Sequence, residues 1–427
     1  MPLGADKSFS CAVNFFDVAG SLVVARSIRR GLDGCCGDQC RGTGRRQGGR
    51  CRDTGKRSHD SLMPAVTDLG TVKFPRLAAL LVCVALLGAC ASNESGGPEG
   101  APTDVPHGGT DPMIPRWQPR PGLRWQYQLQ PSADSEDGFV AGIDLTRRTL
   151  CRNPPDSIGE ICATAIGFDL WTDSQRPNAQ AVAAVHRLPA PAEADGHAHA
   201  ICYFSGGSLE DWRPDAPDFL RWSREHPEAN LLGGPVSSYP NERWLNIKPG
   251  RGRLEFLADI MEKRMRLCRQ AGFDAVDPDW ADGWLHNDEN RLPTLTAADQ
   301  LAYNRMLAAL AHRNGLAIAL KNDTVQAAEL AADYDLAIIE SCQWNGADIQ
   351  PCAPLVGDAT TPGFVQLNKP VLHVEYLNSD EDPPAHNPNG TPAAVCAAAR
   401  ADPAAAHFST IVKQSSSTLR NLPYTIC

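Results

Sequence analysis

From about residue 120 the chain alternates short apolar, β-prone runs with longer stretches of helical periodicity. The runs are Trp125–Leu129, Ile166–Trp171, Ala200–Ser205, Trp244–Ile247, Phe273–Asp277, Ala317–Leu320, Leu336–Glu340 and Val371–Tyr376. Little polar alternation interrupts them, as expected of parallel strands buried on both faces. Arg253–Gln270 carries Leu254, Leu257, Ile260, Met261, Met265 and Cys268 at helical spacing, with Gly272 as a stop. Thr296–Asn314 opens with a cap-like Thr296-Ala-Ala-Asp299 and ends before Gly315. Ala181–Arg187 and Thr324–Ala332 read as shorter helices. Eight strand–helix periods in about 300 residues predict an α/β fold of the closed (β/α)8 TIM-barrel type. No Gly-rich phosphate fingerprint follows any strand, so a dinucleotide sheet is not expected and no cofactor is implied.

The sequence before this pattern is of another kind. Lys73 and Arg76 precede the apolar run Leu77–Ala89, and Cys90 follows at once. A positive flank, a short apolar core and small residues before a cut describe a secretory signal. The core is shorter than the ~20 residues that span a bilayer. Leu87-Gly88-Ala89-Cys90 resembles the bacterial lipobox, which makes Cys90 the expected lipidation site. The chain thus divides into a leader of doubtful translation (1–62, with true initiation expected at Met63), a lipoprotein signal (63–90), a flexible tether (91–118) and one catalytic domain (119–427). An exported, cell-envelope protein is expected, touching membrane only through that anchor.

Charge and cysteine content follow the same division. Residues 1–62 carry 11 basic and 6 acidic side chains, whereas 91–427 carry 27 and 43, a net charge of −16. An acidic mature chain excludes a predominantly basic nucleic-acid binder, and a monomer is expected. Outside the cytoplasm disulfides persist. Eight cysteines follow Cys90, and local spacing suggests the pairs Cys151–Cys162, Cys342–Cys352 and Cys396–Cys427. Cys202 and Cys268 read equally well as buried thiols or as a bridge.

Polar residues gather at the carboxyl ends of the predicted strands, where barrels of this type place their chemistry. They are Asp169, Tyr203, Asp277, Asp279, Lys321, Glu340, Glu375 and Tyr376. A ring of carboxylates around one mouth suits glycosidic cleavage: one acid protonates the leaving oxygen, and one carboxylate attacks or activates water. Trp171, Trp212, Trp280, Trp284 and Trp344 lie near the same ends and offer flat faces to sugar rings.

Several strings carry a family resemblance. The segment Ile201-Cys-Tyr-Phe-Ser-Gly-Gly-Ser-Leu-Glu-Asp-Trp-Arg-Pro-Asp215 is similar to a signature of glycoside hydrolase family 114, the endo-α-1,4-polygalactosaminidases. So are Trp244-Leu-Asn-Ile, Gly272-Phe-Asp-Ala-Val-Asp-Pro-Asp279, Leu316-Ala-Ile-Ala-Leu-Lys-Asn-Asp323, Glu340-Ser-Cys342 and Val374-Glu-Tyr376. The resemblance runs from about 124 to 378 and implies a (β/α)8 barrel that cleaves α-1,4-linked galactosamine polymers. It implies Asp279 and Glu340 as the catalytic pair, with Asp279 as nucleophile and Glu340 as general acid/base. Asp169, Tyr203, Asp277, Lys321, Glu375 and Tyr376 would bind sugar or tune the pair. The partner is then a galactosamine-containing, cationic polysaccharide. Asp277, Trp280 and Asn246 depart from the family's usual Glu, Asn and Asp.

Three rivals compete with this reading. Lys321 could form a Schiff base in a lyase or aldolase. His197-Ala-His199 could suggest a metal-dependent hydrolase, but these residues precede their strand, at the end opposite the chemistry, no second His cluster follows, and no metal is expected. A carbohydrate-binding lipoprotein without activity is the third.

Overall fold

The computed structural model describes residues 115–129, 137–152, 161–237, 239–344, 350–379, 385–416, 419, 420, 422 and 424–427. The leader, the signal with Cys90 and most of the expected tether lie outside the described residues.

Eight strands form one sheet: β1 Trp125–Gln128, β2 Ala165–Asp169, β3 His199–Ser205, β4 Ala275–Asp279, β5 Ala317–Lys321, β6 Leu336–Glu340, β7 Val371–Tyr376 and β8 Ser409–Lys413. Each pairs in parallel with the next. The fold is a (β/α)8 barrel. Among the described residues no backbone ladder joins β8 to β1. Instead the Trp125 indole donates to the Ser409 carbonyl at 2.8 Å. A short strand, Thr425–Ile426, runs antiparallel along β8, and the Tyr424 hydroxyl donates to the Trp125 carbonyl at 2.6 Å.

Residues two apart on a strand share a face. Trp125, Tyr127, Ile201, Leu336, Ile338, Leu372, Val374 and Ile411 fill the barrel interior. The intervening β2, β4 and β5 supply Ala165, Ala275, Ala317 and Ala319, so bulky rings meet short neighbours and the interior closes without a pore. A Cβ at Gly167 would lie 2.8 Å from the Tyr127 ring, so glycine makes room for that ring.

The opposite faces carry Ile166, Phe168, Cys202, Phe204, Val276, Ile318 and Ile339 against an outer layer of helices. These include α1 Ala179–Val185, α2 Ala216–Glu225, α3 Arg253–Ala271, α4 Ala297–Arg313, α5 Ala327–Leu330 and α6 Pro392–Ala401. In α3 the buried stripe Leu257, Ile260, Met261, Arg264, Met265 and Cys268 reproduces the expected periodicity. Each such apolar side chain stabilises by about 1.5–3 kcal/mol relative to exposure. Thr296 and Asp299 complete a reciprocal capping box at the start of α4.

One expected barrel strand is corrected. Trp244–Ile247 does not form the fourth stave. Its first residues end a longer strand, Tyr239–Leu245, in a separate antiparallel sheet with Ser208–Glu210 and Leu232–Val236. Only its apolar end resembles a buried strand; upstream, Pro240, Asn241 and Arg243 are exposed, a half-solvated pattern that belongs to an antiparallel sheet. The eighth stave is β8, whose Ser-Thr-Ile-Val-Lys gives a weak apolar signal. Asp279 therefore ends the fourth strand, Lys321 the fifth and Glu340 the sixth, one position earlier than expected.

Among the described residues four disulfides are present: Cys151–Cys162, Cys202–Cys268, Cys342–Cys352 and Cys396–Cys427. Cys202 and Cys268 are bridged, which ties β3 to α3. Four such bonds fit an exported protein. Arg116 and Trp117, in the last part of the expected tether, pack on the barrel: Arg116 pairs with Asp335 at 3.2 Å and Trp117 stacks on His199. Among the described residues no helix is long and apolar enough to cross a membrane.

Candidate active site

Counting by twos from the interior core carries each strand to its last inward side chain. On β2 and β4 to β7 these are Asp169, Asp279, Lys321, Glu340 and Tyr376, and on β3 Tyr203 faces the same way one step before Ser205. Strand periodicity alone therefore gathers six of the eight expected residues at one mouth. Asp277 lies one pleat deeper.

Lys321 occupies the centre. Its Nζ donates to Asp279 Oδ1 at 2.8 Å and to Glu340 Oε2 at 2.6 Å. Because the two bonds share one nitrogen, these oxygens are at most about 5.4 Å apart. The Tyr203 hydroxyl donates to Asp279 Oδ2 at 2.8 Å, and the Tyr376 hydroxyl to Glu340 Oε1 at 2.5 Å. Every oxygen of both carboxylates is hydrogen-bonded. Burial pushes the Asp279 carboxyl up, but the Lys321 ammonium, Tyr203 and the Trp280 amide outweigh it and hold the group below its ordinary value. Burial pulls Lys321 down, yet Asp279, Glu340 and Asp277 raise it well above the ordinary lysine value. Lys321 is therefore a buried ammonium that holds two carboxylates together.

Asp277 accepts a hydrogen bond from the Tyr127 hydroxyl at 2.7 Å, while its other oxygen is buried without a partner. Burial raises its carboxyl to about 7 against the pull of Lys321. Close carboxylates separate in this way into an ionised and a protonatable member.

The backbone turns abruptly behind each of these strand ends. Trp280, Asn322, Asp323 and Ser341, just past Asp279, Lys321 and Glu340, all have positive φ, at 58°, 52°, 46° and 51°. Such conformations cost on the order of 1–2 kcal/mol per non-glycine residue and cluster at functional sites. Local bonds hold them: the Asn322 side chain accepts from the Glu340 amide at 3.0 Å. The amides of Gly206 and Gly207 both donate to the Asp279 carbonyl, at 2.7 and 3.0 Å. A Cβ on Gly207 would lie 1.9 Å from the Trp280 carbonyl oxygen, which explains the glycine at that position.

The separate antiparallel sheet and the turn after it build one wall of a cleft of about 390 Å³ above the pair. Glu210, Trp212, Arg213, Tyr239, Glu242 and Trp280 line it. Arg213 bonds Asp169 through two nitrogens, at 3.0 and 2.5 Å, and Glu210 at 2.7 Å. Burial pushes Asp169 to about 6 despite Arg213. Glu242 accepts from Ser208 at 2.6 Å and from the Trp280 indole at 3.1 Å, and burial lifts it to about 7. Trp212 stands at the rim, 43% exposed.

Glu375 does not join the others. It is one residue out of phase with Tyr376 and so faces the helix layer, 2.9 Å from His373 Nε2 and accepting from the Gln343 amide at 3.0 Å. Strand periodicity would have separated it from the mouth residues. Glu210, Arg213, Tyr239 and Glu242 were not singled out. Glu210 and Arg213 lie inside the quoted signature, which was the available signal; Tyr239 and Glu242 were hidden by the misplaced fourth strand.

The sequence profile described as glycoside-hydrolase family GH114 matches residues 112–422. The chain belongs to this family. GH114 membership and this mouth make the protein a glycosidase. No functionally curated sequence is similar to it. Among solved structures, the GH114 domain is similar to the crystal structure of Aspergillus fumigatus Ega3 in complex with galactosamine. The identity is 26% over 73% of this chain and 98% of that one, with a TM-score of 0.51. The glycoside hydrolase domain of PelA from Pseudomonas aeruginosa is 15% identical over 71% of this chain and 98% of its own, with a TM-score of 0.39.

Proposed function

We propose that this glycosidase cleaves α-1,4-linked polymers of galactosamine or N-acetylgalactosamine with Asp279 as nucleophile and Glu340 as general acid/base. The observation that carries the reading is the pair of carboxylates bridged by Lys321. The nearest oxygens of the two are at most about 5.4 Å apart, which favours the ~5–5.5 Å carboxyl separation of retaining enzymes over the ~6.5–9.5 Å of inverting ones. Asp279, held ionised, attacks the anomeric carbon as the glycosidic bond breaks, and Glu340, acting in its protonated form, gives its proton to the leaving oxygen. Glu340 then takes a proton from the water that hydrolyses the glycosyl-enzyme. Lys321, Tyr203 and Tyr376 hold the two carboxylates in place, and Asp277 supports Lys321 from below.

The galactosamine in the Ega3 complex supports the choice of sugar. The cleft does too: Asp169, Glu210, Glu242, Asp279 and Glu340 line it against Arg213, a balance that favours a cationic sugar. Trp212, Trp280 and Tyr239 offer rings for stacking. A lysine held charged by two carboxylates is a poor amine nucleophile, which favours hydrolysis over the Schiff-base reading. Export with lipid attachment at Cys90 completes the proposal; it predicts a diacylglyceryl mass on the Cys90 peptide.

The test is incubation of purified protein with deacetylated and acetylated α-1,4-galactosamine polymer, products read by mass and anomeric configuration by NMR. Oligomers released with the α configuration are expected. Binding of oligomers without new reducing ends would replace the enzyme reading by a carbohydrate-binding one.

A further inference from the structure

At the opposite end of the barrel, the loop entering β3 reads Glu193-Ala-Asp195-Gly-His197-Ala-His199, with a carboxylate or imidazole at every second position. Hydrogen bonds Ala190 N to Gly196 O, 2.9 Å, and Ala198 N to Leu188 O, 3.0 Å, fix its shape. One nitrogen or oxygen from each of Asp195, His197 and His199 lies within 4.8 Å of the others. We propose that these three residues, with Glu193 beside them, form a binding site for one divalent transition-metal ion of the zinc class.

The spacing supports a metal over simple ion pairs. His197 Nε2 is 3.2 Å from Asp195 Oδ2; His199 Nε2 is 3.4 Å from Asp195 Oδ1 and 3.9 Å from Glu193 Oε2. Two of these exceed a good N–H···O bond. Ligands held about 2.1 Å from a tetrahedral ion lie about 3.4 Å from one another, close to the 3.2 and 3.4 Å at which the two imidazoles face the two oxygens of Asp195. Of the remaining polar atoms, those of His197 and Glu193 are held as the outer atoms of metal ligands usually are, and that of His199 is not. His197 Nδ1 is 3.0 Å from the Ala198 carbonyl. His199 Nδ1 faces Asp274 Oδ2 at 3.5 Å and is buried without a hydrogen-bond partner. Glu193 Oε1 accepts from the Thr164 hydroxyl at 3.2 Å.

Two imidazoles with carboxylates match zinc better than calcium or magnesium, which take oxygen ligands. An entry path exists: Glu193, Asp195 and His199 border a cavity of about 470 Å³ at this end. Because the site precedes β3, it lies at the end of the barrel associated with stability rather than chemistry. The ion would clamp the 193–199 loop to Trp117, whose ring stacks on His199 at 4.3 Å.

The test uses the whole protein, freed of metal by chelation and dialysis, with Zn2+ and Co2+ as probes. Calorimetry should show one site per chain. Co2+ should produce the visible absorption of a tetrahedral complex, and Zn2+ should raise Tm by several degrees. His197→Gln and Asp195→Asn, both at partly exposed positions, should each weaken binding at least tenfold and remove the absorption band. Hydrolysis should be the same with and without chelator. Absence of one-to-one binding, or binding that survives in both variants, overturns the proposal; loss of hydrolysis on chelation overturns its assignment to the non-catalytic end.

Discussion

The two ends of the barrel use the same residue type to opposite effect. At the start of the strands, Asp274 accepts from the Ala200 amide at 2.8 Å and lies 2.9 Å from His186 Nε2. Asp335 repeats the arrangement with the Ile318 amide at 3.1 Å, His312 at 2.7 Å and Arg116 at 3.2 Å. His186 caps α1 and His312 lies in the last turn of α4, so each aspartate links a helix end to a strand start. Burial would raise both carboxyls, but these donors hold them below the ordinary value, Asp274 at about 2. At the mouth, Asp169, Asp277 and Glu242 are instead raised to about 6, 7 and 7. Burial pushes every one of these carboxyls up. At the mouth it outweighs the donors each one finds, whereas at the strand starts a histidine and its fellow donors outweigh it. One end supplies carboxylates that hold the fold; the other supplies carboxylates that can change protonation.

The contrast is most exposed to test at the pair itself. Asp279→Asn and Glu340→Gln should each lower kcat by roughly a thousandfold or more while leaving the fold intact, because Lys321 keeps one carboxyl partner in either variant. Asp335→Asn should leave kcat/KM within about twofold; comparable losses at both ends would break the distinction. Lys321→Met comes next, because it strands two carboxylates: a loss of about 3–5 kcal/mol in denaturant melts, together with activity, is expected. Asp274→Asn should cost ~2 kcal/mol of stability above pH 4 and leave catalysis unchanged. The sign follows from a depressed carboxyl: its stabilisation is present above the unfolded value of 3.8 and is lost as pH falls toward about 2. At the mouth the sensitive range is higher. Ionised Glu242 favours a cationic sugar, so kcat/KM should fall several-fold as pH drops through about 7, a step weakened in Glu242→Gln. The smallest effect belongs to the rim, where Trp212→Ala should raise KM roughly two- to tenfold with kcat unchanged.

Most of the barrel was legible because buried parallel strands announce themselves as apolar runs. Seven of the eight staves and the limits of α3 and α4 followed from that pattern. The eighth, with its Ser-Thr start and terminal Lys413, did not. Long-range partners also escaped. Tyr203 bonds Asp279 and Tyr376 bonds Glu340 only because the strands lie side by side, a fact that no local spacing contains. The place of Asp279, Glu340 and Lys321 at the strand ends was legible because each follows an apolar run with a charge, while the pairing of Asp279 with Glu340 came from the family resemblance. Glu375 was included on the same grounds, and only the two-residue strand period removes it. The cleft wall was least legible, because Tyr239 and Glu242 sit on a sheet outside the repeating pattern.

The join between β1 and β8 gives the barrel a hem. A rolled sheet that is not laced edge to edge keeps two free margins, and a bare margin invites another chain to pair with it. Here residues 424–427 are turned over one margin, fastened by a tyrosine at one end and by the Cys396–Cys427 bond at the other. Among the described residues the eight strands leave this seam without a backbone ladder, and residues 424–427 lie along it as a sewn edge.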